Sequence, residues 1–325
     1  MHKLKRLITA AIVLTFAVVS VLPAAAQQDT TGSGLSISPT LSEFTLKPGQ
    51  ADKLDINLKN ITANKITAQA SIADFESDNV SGNPKIITDP NHVSPNSIRK
   101  FILGMEDIPL DVGQQKNVTL AIQVPGDAAP GAYFGIIRYK AVPAGQNAPG
   151  PGEVSLSASV GTIVLIGVPG NIREQVQLTG LHIYSGTRKG TLFFEKPTKI
   201  GVELRNLGNG FVKPFGTVEI RNMTGKEVYT YQLNNTNPRA SVLPGSNRIL
   251  ENEIKNIGAI GRYTVTASVS YGSGSQVLTL KKTFWYVPIW LAAIILAVLG
   301  LLILFVFRAY RHYRRESKRA YRRKG

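Results

Sequence analysis

Side chains able to do acid–base, nucleophilic or metal chemistry are sparse in this chain of 325 residues, which has no cysteine and four histidines. Two of those, His92 and His182, fall in the body of the sequence, so a zinc site of the usual Cys/His composition is hard to assemble. His92 lies in a Pro/Asn loop and His182 in an alternating run. Those contexts favour one solvated and one structurally satisfied histidine. Serine is plentiful, but no G-x-S-x-G elbow leads into a helix. Asp74, Glu76 and Asp78 are spaced by two, which would line three carboxylates along one face of a regular strand and could attract Ca²⁺. A solvated strand face entering a turn accounts for the same spacing. Carboxylate pairs for glycoside hydrolysis are defined by separation in space, which sequence does not reveal. No catalytic residue, cofactor or metal is therefore expected. Sequons at Asn60, Asn79, Asn117, Asn222 and Asn234 matter only in a host that glycosylates exported proteins.

Whatever these residues do, strands must position them. From Leu35 to Tyr286 short runs alternate with period two, as in Leu54-Asp55-Ile56-Asn57-Leu58-Lys59 and Tyr263-Thr264-Val265-Thr266-Ala267-Ser268-Val269, and Gly, Pro and Asn punctuate them. A weak repeat divides the region. Ile56-Asn57-Leu58-Lys59-Asn60-Ile61 matches Val202-Glu203-Leu204-Arg205-Asn206-Leu207, each a strand ending at a turn-forming Asn. Leu110-Asp111-Val112-Gly113 then matches Leu243-Pro244-Gly245, and Gly131-Ala132-Tyr133 matches Gly261-Arg262-Tyr263. The order predicts an all-β chain of two tandem immunoglobulin-like β-sandwiches, at 35–173 and 174–283. Asn60 and Asn206 close the equivalent strands. Tyr133 and Tyr263 are candidates for a tyrosine corner, in which the hydroxyl bonds back to nearby backbone, or are half-buried strand aromatics.

The ends read differently. Lys3, Lys5 and Arg6, an apolar stretch from Leu7 to Leu22, and Ala24-Ala25-Ala26 predict a signal peptide over 1–26, followed by a linker over 27–34. Residues 287–307 carry no charge and predict one transmembrane helix, with Trp285, Tyr286 and Trp290 at the outer interface. Arg308 and Arg311 open a basic tail, 308–325, that should stay in the cytoplasm. This division also disposes of the formal net charge of +16 as a nucleic-acid signal: the tail accounts for +8 and the signal for +3, leaving +5 for the body. No nucleic-acid partner is expected.

Ile37-Ser38-Pro39-Thr40, Lys47-Pro48-Gly49-Gln50, the strand to Asn60, and Ala129-Pro130-Gly131-Ala132-Tyr133-Phe134-Gly135 together resemble the WxL-interacting surface proteins of Gram-positive bacteria and related proteins of candidate-phylum bacteria. The resemblance implies a peptidoglycan-binding first module, a partner-binding second module, a membrane helix and a basic tail. The expected function is thus a non-enzymatic, single-pass envelope protein contacting cell-wall polymer or another surface protein. The alternatives are a tethered wall-acting enzyme and an assembly factor using an exposed strand edge. Head-to-tail stacking would hold the turn at 60–65 and the Pro143 to Gly152 loop farthest from the bilayer. The candidate contacts are Gln146 and Asn147 in that loop with Tyr139 and Lys140 on the adjoining strand. The fallback site is the Ser77 to Asn96 loop.

Overall fold

Runs with a side-chain period of two present one apolar face that a second sheet can bury, and the chain does this twice. The computed structural model describes residues 34–89, 92, 94–143, 159–255, 257–258, 260–272 and 276–322, with side chains as far as Arg311. The expected signal peptide, Gln146, Asn147 and the end of the tail lie outside the described residues.

The first sandwich contains β1 (Leu35–Ser38), β2 (Leu41–Thr45), β3 (Ala51–Asn60), β4 (Ile66–Ala73), β5 (Phe75–Ser77), β6 (Pro84–Ile86), β7 (Ile102–Leu103), β8 (Ile108–Leu110), β9 (Gln115–Gln123), β10 (Gly131–Pro143) and β11 (Ser159–Val168). One sheet runs β1-β3-β9-β7 and the other β2-β11-β10-β4-β8, while β5 and β6 form a separate hairpin. The opening strand is shared between the sheets: β1 pairs antiparallel with β3, and β2 then crosses over to lie parallel to β11. The break falls at Pro39, which has no N–H to continue a ladder. Ile56, Leu58, Leu120, Ile122, Ile137 and Ile166, all fully buried, fill the space between the sheets. Each stabilises the fold by roughly 2 kcal/mol relative to an exposed side chain.

The second sandwich repeats the plan with β12 (Val176–Ser185), β13 (Arg188–Lys189), β14 (Leu192–Phe193), β15 (Lys199–Asn206), β16 (Phe215–Asn222), β17 (Glu227–Leu233), β18 (Asn247–Glu253), β19 (Gly261–Tyr271) and β20 (Gln276–Tyr286). Its sheets run β13-β12-β15-β18 and β14-β20-β19-β16-β17. Here β14 makes the crossover, lying parallel to β20 at Trp285 and Tyr286. The segment between the sandwiches spans 169–175, and β20 continues three residues past the expected end of the second domain.

Helix α1 (Ile289–Arg322) follows directly. Its stretch Ile289–Arg311 has a mean hydropathy of 3.1, is not buried against the rest of the chain, and is long enough to cross a membrane. Sequence placed the helix end at Phe307, but it continues through the basic segment because Arg, Lys, Ala and Glu there are all good helix formers. Among the described residues no other α-helix is found.

Candidate functional site: the cleft between the sandwiches

The two sandwiches meet because β10 and β11 are apolar on both faces. Ile137 and Tyr139 point into the first core, whereas Phe134 and Ile136 point out of it. Leu165 on β11 does the same, and the three outward residues gather with Phe75 and Leu243 in a third cluster. Phe211 of the second sandwich packs on Phe134, with ring centroids 6.2 Å apart. Continuous apolar runs such as Phe134-Gly135-Ile136-Ile137 mark strands buried on both sides, and that signal was available in the sequence.

Polar contacts lock the same junction. Ala132 N donates to Asn209 O at 2.9 Å, and Asn209 Nδ2 donates to Pro130 O at 3.2 Å. Arg173 in the connecting segment donates to Leu207 O at 2.6 Å and, through its backbone N, to Asn209 Oδ1 at 2.8 Å. Gly208 permits this approach, since a Cβ there would lie 2.1 Å from Arg173 O. On the opposite side the tip between β5 and β6 reaches the edge strand β18: Ile249 N donates to Val80 O at 2.6 Å, and Asn247 N to Asn79 Oδ1 at 3.0 Å. The loop starting at Ser77, the fallback external site, is in this part a bracket between the domains. A carboxylate, Asp78, organises its turn by accepting from Ser81 Oγ and from the N–H groups of Val80 and Gly82. The Ser81 bond is the largest cause holding its pKa down at about 2.

Between these contacts an open cleft of about 330 Å³ remains. Phe44, Leu165, Val168, Ile172 and Phe211 make it apolar, and an ion pair of Glu43 on β2 with Lys213 spans it from one sandwich to the other. Both side chains are partly exposed, so the pair can open and take new partners at little cost. The lining holds no histidine, and its single carboxylate is the one paired with Lys213. The cleft is therefore equipped to hold apolar side chains and to exchange one ion pair.

The residues singled out from sequence fall in several places. Asn60 and Asn206 are fully buried at equivalent strand ends. Asn60 Nδ2 donates to Asn64 O, Leu110 O and Asp111 O, and Asn206 Nδ2 to Gly210 O and Val242 O. Tyr133 donates its hydroxyl to Ala129 O at 3.0 Å. Tyr263 is buried and stacks on Phe284 at 5.3 Å, and burial raises its pKa. Ile66 pairs with Pro143, so the turn after Asn60 and the end of β10 share the end of the first sandwich away from the second.

Three readings need correction. Tyr139 has no solvent-exposed surface: it occupies the inward phase of β10, its hydroxyl lacks a partner, and burial raises its pKa. It cannot make an external contact, although Lys140 beside it is exposed. Tyr286 belongs to the second core because it alternates with outward-facing Trp285, which is 48% exposed. Trp290, Arg308 and Arg311 are exposed along α1. Asp74, Glu76 and Asp78 do not converge. Asp74 is buried against Arg99 and Ser97, Glu76 pairs with Lys85, and Asp78 caps its turn. Among the described residues no group of side chains suited to a metal is found. His182 is held by Glu203, with Nε2 2.7 Å from the carboxylate.

The chain matches no protein-family model and no curated protein. Among solved structures it is similar to the class 5 fimbriae chaperone CfaA, at 10% identity and a TM-score of 0.37 over 77% of this chain and 99% of that one. Similar too are the Pseudomonas aeruginosa CupB2 chaperone, at 12% and 0.34 over 77% and 100%, and the E. coli chaperone DraB, at 15% and 0.32 over 78% and 96%. A likeness of that degree carries no argument about what this chain binds.

Proposed function

We propose that this chain is a membrane-tethered, non-enzymatic binding protein of a bacterial envelope that holds another surface protein at the cleft between its sandwiches. The observation that carries this reading is the make-up of the cleft: an apolar floor and one exchangeable ion pair. A glycan would instead call for many polar groups, whereas Glu43, Thr45, Lys213 and Ser241 supply the polar side chains of the lining. The resemblance to WxL-interacting surface proteins, which implies a surface partner, supports the same reading. In this proposal the signal peptide starts export, α1 spans the bilayer, and the basic residues from Arg308 keep the tail inside.

The test is a photo-crosslinking amino acid placed singly at Phe44, in the cleft, and at Lys140, exposed near the end of β10 away from the cleft, in the full chain in its own envelope. The expected result is a discrete protein adduct from position 44 and none from position 140. Wall-glycan adducts at position 140 with nothing at position 44 would replace the cleft reading with direct wall binding.

A further inference from the structure

Of the ten large apolar side chains exposed outside α1 among the described residues, five cluster at one end of the second sandwich: Leu192, Phe194, Met223, Ile260 and Trp285. The strand pairings bring them together. Leu192 lies beside Trp285 in the parallel pair β14–β20. Gly261 pairs with Tyr286, which puts Ile260 just beyond that level, and Asn222 pairs with Tyr263, which puts Met223 there as well. A Cβ on Gly261 would lie 3.6 Å from Met223 Sδ. This rim surrounds the root of α1. Trp285 N donates to Thr191 O and Val287 N to Phe193 O, at 2.7 and 2.8 Å, so the rim strand is bonded directly to the segment that enters the helix.

Length fixes how far the rim can stand from a bilayer. From Ile289 to Phe307, at 1.5 Å per residue, the uncharged part of α1 is about 28 Å long, close to the ~30 Å thickness of a hydrocarbon core. With Arg308 at one boundary, Ile289 falls at the other, and no spare helix remains to lift the sandwich away. Leu192 and Trp285 are then separated from the core by only a few residues of extended chain. The headgroup layer is where amphipathic Trp rings prefer to lie, and apolar side chains beside it gain by reaching toward the acyl boundary.

We propose that this rim is a lipid-docking surface that seats the second sandwich on the phospholipid headgroup layer and fixes the tilt of the whole ectodomain over the membrane. The occupant is the leaflet adjoining the first turn of α1, because the rim is continuous with a helix that itself needs lipid on every side. This rests on the reading of α1 as a membrane span.

The chain has no native cysteine, so single substitutions accept one label each. Full-length protein carrying Met223→Cys, Ile260→Cys or, as a control at the far end of the first sandwich, Val112→Cys would be labelled with nitrobenzoxadiazole. It would then be reconstituted in phosphatidylcholine/phosphatidylglycerol vesicles containing a headgroup-region nitroxide lipid. The two rim positions should be quenched about twofold or more and the control left at background. Quenching at Met223 and Ile260 no greater than at Val112 would overturn the proposal. Trp290→Cys, in the first turn of α1, separates the two layers of the argument. If its label is quenched while the rim labels are not, docking alone fails; if it is unquenched, the span itself fails and docking fails with it. Met223 and Ile260 are in exposed turns, and Leu192→Cys is an alternative rim position should either variant misfold.

Discussion

Asn206 donates through its side-chain amide to the carbonyl of Val242 at 3.0 Å, as Asn60 does to Asp111 at 3.0 Å in the first sandwich. Each asparagine also receives the turn that follows: Asn60 N donates to Gln114 O and Asn206 N to Ser246 O. The glycines of the two turns, Gly113 and Gly245, share a φ of +71°, in the region that glycine enters without strain. An amide side chain therefore joins two loops of each sandwich, as a second donor to Asp111 O beside Gln114 N and to Val242 O beside Val212 N. Asn60→Ala and Asn206→Ala should each cost about 2 kcal/mol, because a fully buried amide that both donates and accepts loses several hydrogen bonds at once. Denaturant unfolding of the full chain in micelles checks this, and a loss below about 0.5 kcal/mol at both sites would dismiss the role.

Tyr133 and Tyr139 sit on one strand and should respond oppositely to loss of the hydroxyl. Tyr133→Phe removes the bond to Ala129 O and is expected to destabilise by about 1 kcal/mol. Tyr139→Phe removes a buried hydroxyl that has no partner and should be neutral or stabilising. Equal losses in the same unfolding assay would contradict this pair of assignments.

The bracket between the domains depends on Gly82 and Phe211. At Gly82 φ is +77° and a Cβ would lie 2.7 Å from Arg248 Cδ, so Gly82→Ala should strain the turn, displace the Arg248 side chain and loosen the contact of the hairpin with β18. Phe211→Ala strips the ring from Phe134 and should cost roughly 1–2 kcal/mol, less than a fully buried ring because Phe211 is only half-buried. In calorimetry each variant should unfold in two separated transitions where the parent chain shows one. A single transition in both variants would mean that the sandwiches are coupled elsewhere.

Asp78 supplies a pH dependence of known sign. Its hydrogen bonds lower its pKa from 3.8 to about 2, so between those values the unfolded chain binds more protons than the folded one. Its contribution is complete above about pH 4 and disappears as pH falls through about 2. Asp78→Asn should flatten the stability curve in that window and leave it unchanged at neutral pH apart from a constant offset. Identical slopes in parent and variant between pH 4 and 2 would show that the turn does not hold the carboxylate as described.

Sequence by itself determined the parts that depend on neighbours along the chain. Period-two runs broken by Gly, Pro and Asn specify antiparallel strands with one apolar face, and the repeated strand-to-Asn pattern specifies that the plan occurs twice. An uncharged run ending at Arg308 specifies a helix of membrane length, since no partner is needed to satisfy its backbone. What tertiary structure alone decided involves residues far apart in number. Alternation cannot say which way Tyr139 faces on a strand that is buried on both sides, nor that Tyr286 turns inward while Trp285 turns out, because phase is set by the sheet opposite. Asp74, Glu76 and Asp78 share a spacing but not a face, since β5 begins after Asp74 and ends before Asp78, and each carboxylate answers to a different neighbour. The cleft between Glu43 and Lys213, and the rim that joins Leu192, Met223, Ile260 and Trp285, exist only once the strands are paired, for it is backbone register that brings these distant positions together.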